Sequence, residues 1–112
     1  DGLDEISPYT KTNVVQLKNG EISEIIINPN EFNIDANKIE DLLGDDAEFN
    51  ASKIVDIFKG EDNDFSKAVC LNTAAGLIVA EKHSSFNSAY ENARKHILSG
   101  KASDHLKKIQ DA

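Results

Sequence analysis

The sequence predicts an α/β fold: a β-hairpin followed by about five helices, read together as the C-terminal part of a larger α/β domain that takes in residues 1–112. Three observations carry this. Two β-branched runs flank Asn19-Gly20 near the start. Beyond residue 34, apolar residues recur at helical spacing between capping residues and glycines. Finally, Ile25-Ile26-Ile27 shows no polar alternation, so the second strand is expected to be covered on both faces. Two strands cannot supply that cover, because an isolated hairpin is marginal in water. Strands from elsewhere must complete the sheet.

The hairpin comes first. Asn-Gly between two such runs favours a two-residue turn, because both central residues must take positive φ. This pairs Lys18 with Glu21 and Leu17 with Ile22. Pro29 ends the strand region, and the stretch from Asn28 to Asn33 reads as a turn-rich connection. Asp35 is positioned to cap a short helix over residues 37–43, stopped by Gly44. Asp46 or Ala47 begins a second helix, with Ala51, Ile54, Val55 and Phe58 on one face and Gly60 as the stop. A third covers residues 65–81. It is apolar almost all round, as a buried central helix would be, and small residues at 74, 75 and 76 permit close approach of a neighbour. Ser85 caps a fourth helix whose inward stripe is Phe86, Ala89, Tyr90, Ala93 and Ile97, stopped by Gly100. A fifth, over residues 102–110, turns Leu106 and Ile109 inward.

Composition narrows function. The chain has 112 residues and a formal net charge of −8, which argues against a general nucleic-acid or anionic-membrane binder. The charge is uneven: residues 34–64 hold ten acids against three lysines, and residues 65–112 four acids against seven bases. A single cysteine, Cys70, excludes an internal disulfide and fits a reducing cytoplasm. The longest apolar run, residues 74–80, is far short of the roughly 20 residues that a membrane helix takes. There is no methionine, so the expectation is a segment trimmed from a longer protein.

Asp4 and Glu5 are the candidate site. Two hard oxygen donors on a turn are what a magnesium ion held beside a phosphate needs. Successive residues on a strand point to opposite faces, so the pair can serve one ion only where the backbone turns, and Gly2 permits that. By themselves, adjacent acids are most simply surface residues. The remaining candidates carry less. His83, His96 and His105 share no ligand spacing, and Cys70 sits inside the apolar helix as a small core residue. Ser84-Ser85 offers capping hydroxyls, and Lys107-Lys108 is too short a run to grip nucleic acid. No catalytic or substrate-binding residue is assigned.

In order along the chain stand Asp1-Gly2-Leu3-Asp4-Glu5-Ile6-Ser7, the hairpin, Asn28-Pro29 with Phe32, Gly44-Asp45-Asp46 with Asn50-Ala51, and Leu71-Asn72 with Ala74, Leu77, Val79 and Ala80. This series resembles the C-terminal part of the anthranilate phosphoribosyltransferase family over essentially the whole chain. The resemblance implies a nucleoside-phosphorylase-like α/β domain beside an absent helical domain. It implies a cytoplasmic, homodimeric enzyme of tryptophan biosynthesis that transfers phosphoribosyl from phosphoribosyl pyrophosphate to anthranilate, with release of pyrophosphate. It also implies that Asp4 and Glu5 bind Mg2+. The family's phosphate loop and anthranilate pocket belong upstream, so the chain alone is expected to be inactive. Asp45 stands where the family usually has a second glycine, which puts the local backbone in question. Asn50 and Asn72 match recurring positions and read as structural, Asn72 as a hydrogen-bonded polar group on a buried helix. Two rival readings are a non-enzymatic nucleic-acid-binding paralogue and a self-associating fragment. The first needs a basic surface; the second would use the hairpin edge.

Overall fold

In the computed structural model, which describes residues 1–35 and 39–112, the chain folds as a two-stranded antiparallel hairpin followed by four α-helices. Strand β1 (Thr12–Lys18) pairs with β2 (Glu21–Ile27), with Lys18 opposite Glu21 and Leu17 opposite Ile22. Asn19 and Gly20 have φ of 53° and 82°, the left-handed pair that the two-residue turn requires. The expected register is the observed one.

Cover on both strand faces is not found. Ile27 is buried, but Ile26 is 61% exposed, and Val15, Leu17 and Ile22 are more exposed still. Among the described residues there is no third strand, and residues 5–7 lie outside the ladder.

The helices are α1 (Ala47–Phe58), α2 (Asp64–Val79), α3 (Phe86–Leu98) and α4 (Lys101–Gln110). Against the roughly five expected, the described residues hold these four. Where the first was predicted, over residues 37–43, the described part is a 3-10 turn at Ile39–Leu42, and residues 36–38 lie outside the described residues. The start signals act as expected. Asp46 accepts from the Phe49 N–H at 2.8 Å, and Ser85 accepts from the Ser88 N–H at 3.1 Å. Asn63 and Ser66 form a reciprocal capping box at the head of α2.

The core lies between α2 and α3. Leu71, Ala74 and Ala89 are fully buried, with Cys70, Tyr90, Ala93 and Ile34 beside them. Alanines on both helices allow the close approach expected around residue 74. Phe32 closes one end, its ring 5.3 Å from Phe86 and 5.7 Å from Tyr90. Ile6 packs against the same cluster. The opposite side of α2 is open: Val69 and Val79 are exposed, and a Cβ added at Gly76 would meet nothing within 4 Å. The all-round apolar helix is thus covered on one side only.

Two stripes are corrected. On α1 the fully buried residue is Ile57; of the expected stripe Val55 and Phe58 are half-buried, while Ala51 and Ile54 face out. On α4, Leu106 is half-buried and Ile109 is 61% exposed. Both helices lie at the margin of the core, where a stripe can rotate with little loss of buried area.

Candidate functional site

Asp4 and Glu5 sit on a bend, both exposed. Gly2, at φ 87°, turns the chain ahead of them, and the Leu3 N–H donates to Asp1 Oδ1 at 3.1 Å. The backbone therefore turns at the pair rather than running on as a strand. No hydrogen bond or ion pair joins either side chain to another described residue. Among the described residues no group of three or more His, Cys, Asp or Glu converges on a metal position. The protein would thus supply at most two carboxylates here. That suits magnesium, which keeps several waters and takes phosphate oxygens beside one or two carboxylates. The donor chemistry fits the ion.

The backbone immediately beyond Glu5 is held tightly. The Asn72 side chain on α2 grips Ile6 from both sides: Oδ1 accepts from the Ile6 N–H at 2.9 Å, and Nδ2 donates to the Ile6 carbonyl at 3.2 Å. The second Nδ2 hydrogen goes to the Ala68 carbonyl at 2.9 Å. The amide stands in for a neighbouring strand's peptide group. Next, the Ser7 N–H donates to Thr12 Oγ1 at 3.1 Å, while Ser7 Oγ accepts from the N–H groups of Tyr9 and Thr10. Ser7 is buried, so these bonds satisfy a polar group that would otherwise be costly.

Tyr9 makes the third attachment, its hydroxyl donating to Asp64 Oδ2 at 3.4 Å. Burial pushes the phenol up to about 12, with the Asp64 carboxylate adding to the shift. The hydroxyl therefore keeps its proton and remains a donor. Lys67 pairs with Asp64 Oδ1 at 2.9 Å and reaches the Asp35 carbonyl at 3.0 Å, joining α2 to the segment before residue 36.

Asn50 repeats the Asn72 device locally. Its Oδ1 accepts from the Asp45 N–H at 3.1 Å, and its Nδ2 donates to the Asp45 carbonyl at 3.0 Å. This resolves the question at Asp45, whose φ is not positive, so a side chain there costs no backbone strain. Gly44 has a different constraint. A Cβ on it would stand 2.7 Å from Asn50 Oδ1, so this glycine makes room for the asparagine amide. The structural reading of both asparagines holds; the partner of Asn72, 66 residues away, was not visible in any local pattern.

The other candidates stay apart from this segment. Cys70 is buried in the core, and burial pushes its thiol up to about 11. His83 meets Ser88 Oγ at 3.1 Å beside the start of α3. No helix among the described residues is long and apolar enough to cross a membrane.

Comparison with known proteins places this arrangement. The family model described as "Glycosyl transferase family, a/b domain" matches residues 1–103. The anthranilate phosphoribosyltransferase of Pelagibacter ubique (strain HTCC1062) is 71% identical over 111 residues, which are 99% of this chain and 34% of that protein. That of Alkaliphilus metalliredigens (strain QYMF) is 42% identical over 97% of this chain and 32% of its own length. That of Idiomarina loihiensis is 32% identical over 99% and 33%. The chain spans about a third of the length of the curated relatives it matches. With a family model that matches most of its length and these relatives, all named anthranilate phosphoribosyltransferase, the chain belongs to the glycosyl transferase family through its a/b domain.

Proposed function

We propose that this chain is the C-terminal portion of an anthranilate phosphoribosyltransferase, and that Asp4 and Glu5 hold the Mg2+ that accompanies pyrophosphate in that enzyme. The reaction is a displacement at the anomeric carbon of phosphoribosyl pyrophosphate: the bond to pyrophosphate breaks, and anthranilate becomes the new partner of the ribosyl carbon. The observation that carries the reading is the exposed carboxylate pair on a bend, immediately followed by a backbone held at Ile6, Ser7 and Tyr9. When bound, magnesium supplies neutralisation of the charge that collects on the departing pyrophosphate. The chain's own part is to present two carboxylate oxygens at a fixed place. A cytoplasmic homodimer is the expected setting of the whole enzyme.

The open hairpin supports the fragment reading. Five apolar side chains on β1 and β2 are exposed in this chain, as expected if further strands belong beside them. The phosphate and anthranilate contacts then lie in the remainder of the protein, and the 112 residues alone are inactive.

The test has two arms. In the full-length protein that carries this segment, Asp4→Asn with Glu5→Gln should lower phosphoribosyl transfer by at least about 100-fold, with partial recovery at high Mg2+; this takes the upper range for a disturbed metal site. Unchanged transfer would remove the pair from the site. The purified 112-residue chain should show no transfer, and turnover by it would sink the fragment reading. The same exposed hairpin favours a second reading of the isolated chain, self-association through the sheet edge, which sedimentation would reveal. A nucleic-acid-binding role has the net charge of −8 against it.

A further inference from the structure

We infer that Asn72 is a positioning residue for the Asp4-Glu5 pair: its side-chain amide fixes the backbone one residue beyond Glu5, and so sets where the two carboxylates meet a divalent cation. The inference rests on the magnesium reading of that pair.

The geometry is specific. Three hydrogen bonds, at 2.9, 3.2 and 2.9 Å, consume both Nδ2 hydrogens and one Oδ1 lone pair. They also fix the amide's orientation. Turned over, it would set NH2 against the Ile6 N–H and oxygen against the carbonyls of Ile6 and Ala68. The partners lie 66 residues apart, so the bond pair joins the acidic bend to the central helix rather than to its own neighbourhood.

The segment has few other supports. Ile6 reaches the core cluster with its side chain, but its backbone has no ladder partner, and Ser7 is tied forward to Thr12. Upstream, the Asp1–Leu3 contact is local and exposed. Between that contact and Ile6, the carboxylate pair has no attachment of its own to another described residue. Asn72 is therefore the nearest anchor to the pair that comes from a rigid element. A ligand held by so short a tether inherits its precision from the anchor.

The experiment uses the full-length protein. Mn2+ alone is titrated by electron paramagnetic resonance, and the binding lost in an Asp4→Asn/Glu5→Gln variant defines the site. Amide exchange is followed at Ile6, with Leu71 and Tyr90 as reporters of global stability. Asn72→Leu keeps the approximate size and removes all three bonds. It should speed Ile6 exchange by about tenfold while leaving the core reporters slow. Mn2+ affinity at the site should fall by about tenfold or more. Asn72→Asp keeps the acceptor for the Ile6 N–H but turns an oxygen toward two carbonyls. It should move both readouts the same way, and it serves if the leucine variant fails to fold.

Faster Ile6 exchange with unchanged Mn2+ affinity overturns the positioning role, because the bend would then bind metal without its anchor. Unchanged Ile6 exchange overturns the clamp itself. Mn2+ binding that survives in the Asp4→Asn/Glu5→Gln variant defeats the magnesium reading instead, so the two failures are told apart.

Discussion

The hairpin and the α2–α3 pair are both apolar, yet one is open and the other closed. On β1 and β2, Val15, Leu17 and Ile22 are each at least 70% exposed; between α2 and α3, Leu71, Ala74 and Ala89 have no exposure at all. The contrast separates two sources of order. The hairpin owes its form to local chemistry, a turn whose two residues accept positive φ and a ladder of backbone bonds. The helix pair owes its form to burial. Local rules can set a register without any core to reward it, and burial can align helices that are separate stretches of the chain.

The largest expected effect is inside the closed region. Leu71→Ala should cost about 2–5 kcal/mol in urea unfolding followed by circular dichroism, because a fully buried leucine leaves a cavity. A cost below about 1 kcal/mol would mean that α2 and α3 do not form a tight core.

High pH attacks the same place. Burial pushes Tyr90 up to about 12 and Cys70 up to about 11, against ordinary values of 10.0 and 9.0. Both groups hold their protons more firmly when folded. Their contribution is therefore complete below the unfolded values and is lost as pH rises from about 9 through about 12. Tyr90 alone should account for roughly 2–3 kcal/mol over that window, at about 1.4 kcal/mol for each pH unit between its ordinary and its folded value. The unfolding midpoint should fall across that range, and Tyr90→Phe should make the fall shallower.

Caps sharpen the comparison at smaller scale. Asn63→Ala removes one half of the capping box on α2 and should cost about 1 kcal/mol in the same unfolding measurement. The hairpin closes the series. In the 112-residue chain, Leu17→Thr should change stability by less than about 0.5 kcal/mol, since the side chain is already in water. It should nonetheless reduce any self-association seen by sedimentation. A large stability loss from Leu17→Thr would show that the hairpin face is covered in solution, and the contrast would collapse.

These regions also explain what was legible in the sequence. Asn19-Gly20, Asp46 and Ser85 act on their near neighbours, so the turn and the starts of α1 and α3 could be read directly. The sequence hid what depends on distance. The triple isoleucine implied cover that the described residues do not supply. The α1 stripe of Ala51, Ile54, Val55 and Phe58 is only half right, because periodicity alone cannot say where a short marginal helix touches the core: Val55 and Phe58 are half-buried, and Ala51 and Ile54 face out. In the candidate site, the acidic pair and its bend were readable, whereas the clamp was not. An asparagine on an apolar helix announces a need for hydrogen-bond partners without naming them. Gly44 was read as a helix stop, and its real constraint, the Asn50 amide 2.7 Å from where a Cβ would stand, is equally a matter of placement.

The bond between Asn72 and Ile6 also bears on the order of folding. Closing a loop of that length requires chain entropy to be surrendered before the contact forms, and α2 must already exist to offer the amide. Helix α2, with its reciprocal cap, can assemble from neighbours in sequence. The acidic bend must wait for it. The bend precedes its anchor in synthesis, and a nascent chain halted before residue 72 would carry Asp4 and Glu5 without the amide that holds the backbone beside them.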